Sequence, residues 1–133
     1  MWYVNEHWKQ WQFNYWSAFD SGIFGYINYL VEKDRKYILD TLVNGLSRLE
    51  YRGYDSAGLA VDGDKKNEVF AFKEVGKVAK LKQLIEEEKP DLTKVFDSHA
   101  GIAHTRWATH GPPSRLNCHP HRYMIGMALN GLD

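Results

Sequence analysis

The first long apolar run with a regular character is Ser21-Gly-Ile-Phe-Gly-Tyr-Ile-Asn-Tyr-Leu30, where β-branched and aromatic residues follow one another without a charge. Such a run predicts a buried strand. From 35 to 49 the apolar positions change period: Ile38, Leu42, Leu46 and Leu49 recur on one helical face, with Leu39 and Val43 beside them. That spacing predicts an amphipathic helix, and Asp34 stands where an N-cap side chain would accept an unpaired N–H. Residues 57 to 61 and 68 to 72 read as short strands, and Asp62-Gly63-Asp64 supplies turn chemistry between them, so a hairpin is expected. After Gly76 a second helix is expected, with Val78, Leu81, Leu84 and Ile85 inward, Lys80, Lys82, Glu86 and Glu87 outward, and Pro90 as its stop. Residues 98 to 105 alternate small and apolar side chains with histidines and read as another strand. Residues 106 to 120 read as an ordered loop, and 123 to 129 as a further strand. Short strands interleaved with two helices form an α+β pattern.

The first twenty residues have a different character. Four of the five tryptophans, Trp2, Trp8, Trp11 and Trp16, lie there with Tyr3, Phe13, Tyr15 and Phe19. Trp8, Trp11, Tyr15 and Phe19 form a packing stripe at helical spacing. An interfacial membrane helix has similar aromatics, but a plain extension is the expected reading. No apolar run approaches the roughly 18 residues of a membrane span, and no basic-then-apolar leader pattern is visible.

Composition adds exclusions more than assignments. Seventeen basic residues balance seventeen acidic ones, which gives no support for binding a nucleic-acid backbone. Cys118 is the one cysteine, so no internal disulfide forms, and a reducing compartment such as the cytoplasm is expected. Cys118 with His104, His110, His119 and His121 invites a metal reading, but no second cysteine completes a familiar zinc pattern. No metal and no cofactor are expected.

Three segments carry more specific information. They are Ser21-Gly-Ile-Phe-Gly-Tyr26, Leu49-Glu-Tyr-Arg-Gly-Tyr-Asp-Ser-Ala-Gly58, and Gly101-Ile-Ala-His-Thr-Arg-Trp-Ala-Thr-His-Gly111 followed by Asn117-Cys-His-Pro120. In order, spacing and combination they resemble the opening of the glutamine-hydrolysing domain of the glucosamine-6-phosphate synthases (glutamine–fructose-6-phosphate aminotransferases), which are class II glutamine amidotransferases. The resemblance runs from 21 to 122, leaving 1 to 20 as a divergent aromatic extension and 123 to 133 as a divergent tail. It implies an incomplete N-terminal-nucleophile (Ntn) hydrolase fold, an αββα sandwich, with apolar strand faces and edges left uncovered. The implied activity is hydrolysis of the L-glutamine side-chain amide. The ammonia would pass to sugar-isomerase domains that make glucosamine 6-phosphate from fructose 6-phosphate. Those domains have no counterpart here, so the sugar chemistry is expected to be absent or supplied by another polypeptide such as a full-length homologue.

By this resemblance Ser21 takes the position of the family's nucleophilic cysteine, whose own free α-amino group acts as base. A serine hydroxyl at neutral pH has almost no ionised fraction, whereas a thiol has a few per cent. The nitrogen of Ser21 is bonded to Asp20 and is not basic unless the chain is cleaved there. Arg106 resembles the arginine that holds the glutamine carboxylate, a task suited to its planar fork. Taken alone, Arg106-Trp107 is equally a structural arginine–aromatic stack. Trp107, Thr109 and His110 match the loop lining the glutamine pocket. Arg52 and Asp55 match a supporting block beside the nucleophile and are also consistent with an Arg–Asp pair in a turn. Asn130-Gly131 is either a remnant of the oxyanion hole or a coincidence. Three readings follow: an inactive partial glutaminase domain, a non-catalytic glutamine- or partner-binding remnant, and a serine amidohydrolase after cleavage before Ser21.

Overall fold

The computed structural model describes residues 21–50, 54–108 and 111–121. In chain order they form β1 (Gly22–Asp34), α1 (Arg35–Ser47), β2 (Ser56–Asp62), β3 (Val69–Val75), α2 (Val78–Glu88) and β4 (Val95–Arg106). The strands make one antiparallel sheet in the order β1-β4-β2-β3. The expected α+β character is therefore present as a mixed fold with an antiparallel sheet, and β2 and β3 form the expected hairpin. The expected strand over 123 to 129 lies outside the described residues.

Both helices pack on the same face of the sheet. Ile38, Leu42 and Leu46 of α1 and Leu81 of α2 have no exposed surface, and they meet Leu59, Phe72 and Ala103 from the strands. Each such aliphatic side chain contributes about 1.5–3 kcal/mol on burial, so this interface is the source of the core's stability. The N-terminus of α1 forms as expected, with the Asp34 carboxylate accepting from the Tyr37 N–H at 2.7 Å. The N–H groups of Arg35 and Lys36 donate to the carbonyls of Lys94 and Leu92 at 2.8 and 3.1 Å, so the first turn of α1 is docked on the start of β4. Arg35 is wholly buried there, donating to the Asp91 carbonyl at 3.0 Å and to Asp64 Oδ1 at 2.9 Å, with its guanidinium over the Phe70 and Phe96 rings.

Two expectations need correction. The run from 21 to 30 reads as a buried strand, but β1 is buried on one side only. Phe24, Tyr26 and Asn28 face the helices, whereas Ile23, Ile27 and Tyr29 are 73%, 78% and 74% exposed. The continuous apolar character therefore describes a strand with a bare second face among the described residues. The strand also runs on to Asp34, passing an irregularity between Tyr29 and Lys33 where Leu30 takes φ 55°. Asn28 supports it, donating to the Val31 carbonyl at 2.8 Å and to the Phe96 carbonyl at 3.2 Å. In the same way β3 and β4 extend past their expected limits, to Val75 and from Val95.

Candidate functional site

The residues singled out by the sequence converge at one end of the sheet. Gly22 pairs with Thr105, so Ser21 falls opposite Arg106, the last residue of β4. Strand alternation puts Ser21, Ile23, His104 and Arg106 on the face away from the helices. Arg106 is 8% exposed and also pairs with Ser56 of β2. The Ser21 hydroxyl oxygen accepts from the Trp107 N–H at 3.3 Å. The next residue is held harder: the Gly22 N–H donates to Thr105 Oγ1 at 3.0 Å. A Cβ at Gly22 would lie 2.8 Å from Leu49 Cδ1 and 2.9 Å from that oxygen, so the close approach needs glycine.

Asp55 braces this end from beneath. Its carboxylate accepts from the Ala108 N–H, its own N–H donates to the Arg106 carbonyl at 3.0 Å, and its carbonyl accepts from the Gly76 N–H at 2.8 Å. One residue thus ties β2, the chain leaving β4 and the turn after β3 together.

Residues 111–121 fold back over the same face. The backbone of His119 crosses Gly58 so closely that a Cβ there would sit 2.1 Å from the His119 carbonyl oxygen. The rings of His104, His119 and His121 stack edge to face at centroid distances of 4.6 and 4.7 Å. Burial, then His119 and the Arg106 guanidinium, push the His104 ring down to about 4. Burial also lowers His119, helped by His121 and Arg106. His104 and His119 are thus held neutral beside the Arg106 cation. Cys118 is buried, with Sγ 3.0 Å from the Ser114 carbonyl oxygen. Among the described residues no group of three or more His, Cys, Asp or Glu is placed to hold a metal ion.

No family model matches the chain. Curated relatives do. A stretch of 101 residues, 76% of the chain, is 60% identical to the glutamine–fructose-6-phosphate aminotransferase (isomerizing) of Saccharomyces cerevisiae, covering 14% of that protein. The probable enzyme of the same name from Schizosaccharomyces pombe is 62% identical over 101 residues, again 76% of this chain and 14% of the relative. The human glutamine–fructose-6-phosphate aminotransferase (isomerizing) 2 is 53% identical over 106 residues, 76% of this chain and 16% of the relative. This stretch belongs to the glutamine–fructose-6-phosphate aminotransferase family. The chain spans about one seventh of the length of the yeast relatives, at 14%.

Of the positions matched to the aminotransferase family by motif, Ser21, Asp55, Arg106 and Trp107 are brought to one end of the sheet. Arg52, Thr109, His110, Asn130 and Gly131 lie outside the described residues. The sequence reading missed Thr105, whose hydroxyl fixes Gly22, and the His104–His119 contact. Thr105 lies inside the third family segment, but a threonine on a strand looks like an ordinary β-former. Only the register reveals that it faces Gly22. No helix among the described residues is long and apolar enough to cross a membrane.

Proposed function

We propose that residues 21–122 are an incomplete glutaminase domain of the Ntn type, which binds glutamine through Arg106 and releases no ammonia from it as the chain stands. The observation that carries this reading is the position of Arg106. It ends a central strand, is nearly buried, and lies across the β1–β4 pair from Ser21. A free amino acid offers one carboxylate, and the guanidinium fork makes two parallel charge-assisted hydrogen bonds to it, worth about 1.5–3 kcal/mol. Trp107, Thr109 and His110 line the pocket, Arg52 and Asp55 support it, and Asn130-Gly131 is the candidate oxyanion hole. The proposed compartment is the cytoplasm. The proposed protein partner is a full-length family member or its sugar-isomerase domains.

Titration of L-glutamine against the intact chain tests the clamp. Wild type is expected to bind weakly, on the order of millimolar, and Arg106→Ala roughly tenfold to a hundredfold more weakly. Arg106→Lys keeps the charge without the fork and recovers only part of the affinity. A thermal melt of each variant separates lost binding from lost folding, since the side chain is nearly buried. Equal affinity in all three folded proteins makes Arg106 a structural residue and removes the reading.

The block to chemistry has its own test. Ser21→Cys restores a thiol, yet its nitrogen remains an amide to Asp20 and offers no base. Ammonia release from glutamine is therefore expected to stay at background in Ser21→Cys, with intact mass confirming that residues 1–20 are still attached. Turnover by that uncleaved variant would show that another group takes the proton.

A further inference from the structure

We propose that residues 111–121 form a strap latched to the sheet by histidine rings, and that proton uptake by those rings releases it before the sheet itself unfolds. The strap is nearly self-contained. The Ser114 carbonyl accepts from the N–H groups of Asn117 and Cys118, both at 3.0 Å, and Asn117 Nδ2 donates to the Pro112 carbonyl at 3.1 Å. Among the described residues, its hydrogen bond to the sheet runs from Arg115 to Glu74 of β3. Arg115 is exposed, and an ion pair in that setting contributes little. The contact that remains is His119. Its backbone crosses Gly58 of β2, and its ring meets those of His104 on β4 and His121 in the strap at 4.6 and 4.7 Å.

That contact has no place for a proton. Across the sheet His104 is flanked by Ile23 of β1 and Gly58 of β2, with Lys73 of β3 beyond, and the helices lie on the opposite face. The groups acting on the His104 and His119 rings are Arg106, Lys73, His121 and each other, so all are cationic or become so on protonation. The acids at this end are engaged elsewhere: Asp55 accepts from the Ala108 N–H, and Glu74 holds Arg115. His104 Nδ1 is buried with no hydrogen-bond partner among the described residues. In the imidazolium both ring nitrogens carry protons, and that N–H has nothing to donate to. Burial first, then His119 and Arg106, holds His104 at about 4, and burial lowers His119 as well. A released strap returns both rings to water, where a histidine titrates near 6.5. The open form therefore binds protons that the latched form refuses, so latching is fully present above about pH 6.5 and is lost as pH falls toward 4. From about pH 7.5 to 5, His104 alone raises the open-to-latched ratio roughly thirtyfold on these values, and solvent at the half-buried ring reduces this to about tenfold. His119 adds to it in the same direction. The proposal does not depend on any ligand at Arg106.

The strap carries its own reporter, because Cys118 is the one cysteine of the chain and is wholly buried there. The intact chain is labelled with dilute dithiodipyridine between about pH 7.5 and 5, and each rate is divided by that of the urea-unfolded chain at the same pH. The division cancels the pH dependence of the thiol itself. Circular dichroism at each pH follows the sheet. Protection of Cys118 is expected to fall about tenfold or more across this range while the dichroism holds, the mark of a local opening. His104→Gln/His119→Gln takes up no proton at either position, so its protection is expected to stay level with pH. Gly58→Ala changes no titratable group but places a Cβ 2.1 Å from the His119 carbonyl oxygen, and is expected to leave Cys118 weakly protected at every pH. Protection that persists until the dichroism is itself lost makes the strap part of the sheet's cooperative unit and overturns the proposal. An equal fall with pH in His104→Gln/His119→Gln overturns it by placing the release on another group. An unprotected Cys118 in wild type at about pH 7.5 overturns it by showing that nothing is latched.

Discussion

Arg35→Ala is expected to destabilise the fold by about 3 kcal/mol, a large share of the roughly 5–15 kcal/mol typical of a domain. The side chain is wholly buried, and its guanidinium does three things at once. It donates to the carbonyls of Asp91 and Asp62 at 3.0 and 3.4 Å, pairs with Asp64 at 2.9 Å, and fills the space between the Phe70 and Phe96 rings. Truncation leaves those carbonyls without their donor and opens a cavity between two aromatic rings. The charge pair itself is the lesser part, because the Asp64 carboxylate remains half exposed and water takes over its solvation. Asp64→Asn should therefore stay close to wild type. Arg35→Met, which keeps the stem and fills the gap, should fall between them. Urea unfolding of the three variants measures this. Arg35→Met at wild-type stability would show that the carbonyl bonds contribute nothing.

The second large effect is one of pH. His104 is lowered to about 4 in the folded chain, and an unfolded histidine titrates near 6.5. Below about pH 6.5 the unfolded chain takes up a proton that the folded chain refuses. The stabilisation is thus fully present above 6.5 and is lost as pH falls toward 4. The full shift would correspond to about 3 kcal/mol, and solvent around the half-buried ring reduces this to roughly 2 kcal/mol. His99 and His119 act in the same direction through their own burial. Asp64, Glu68, Glu74 and Asp91, all lowered mainly by hydrogen bonds, add their loss at the acid end of this range and below, as pH falls past their unfolded carboxylate values. Stability of wild type measured by urea should decline between pH 6.5 and 4, and His104→Gln should flatten that decline. An unchanged slope in His104→Gln would place the proton uptake elsewhere.

The helices were legible because each signals itself locally. The stripe Ile38, Leu42, Leu46 and the Asp34 cap lie within a few residues of one another, and both are found as read. What the sequence concealed depends on distant partners. The start of α2 has no side-chain cap of its own; its Val78 N–H donates instead to Tyr54 Oη at 2.7 Å and to Glu50 Oε1 at 3.3 Å. Burial, with the Glu50 hydrogen bond second, raises the Tyr54 hydroxyl, which therefore stays protonated there. Bare apolar strand faces were expected only from the resemblance, and the run of β1 does not itself show one. Ile23 and Ile27 have the chemistry of core residues, and pattern alone does not say whether a second layer covers them. At the candidate site the motif positions Ser21, Asp55 and Arg106 were legible as a set, yet their meeting depends on β4 lying between β1 and β2.

That central place of β4 has a consequence for the order of events on the ribosome. β1 is the first of the described strands to be synthesised and its partner in the sheet is the last of them, with Gly22 and Thr105 83 residues apart. At typical synthesis rates of about 5–20 residues per second, that gap corresponds to roughly 4–17 seconds. For that interval the nascent chain holds a thirteen-residue strand, uncharged through Val31, with both edges open, while α1 and the β2–β3 hairpin already have their local partners. Emergence of β4 closes the sheet from its middle outward, so β1 matures on the schedule of β4.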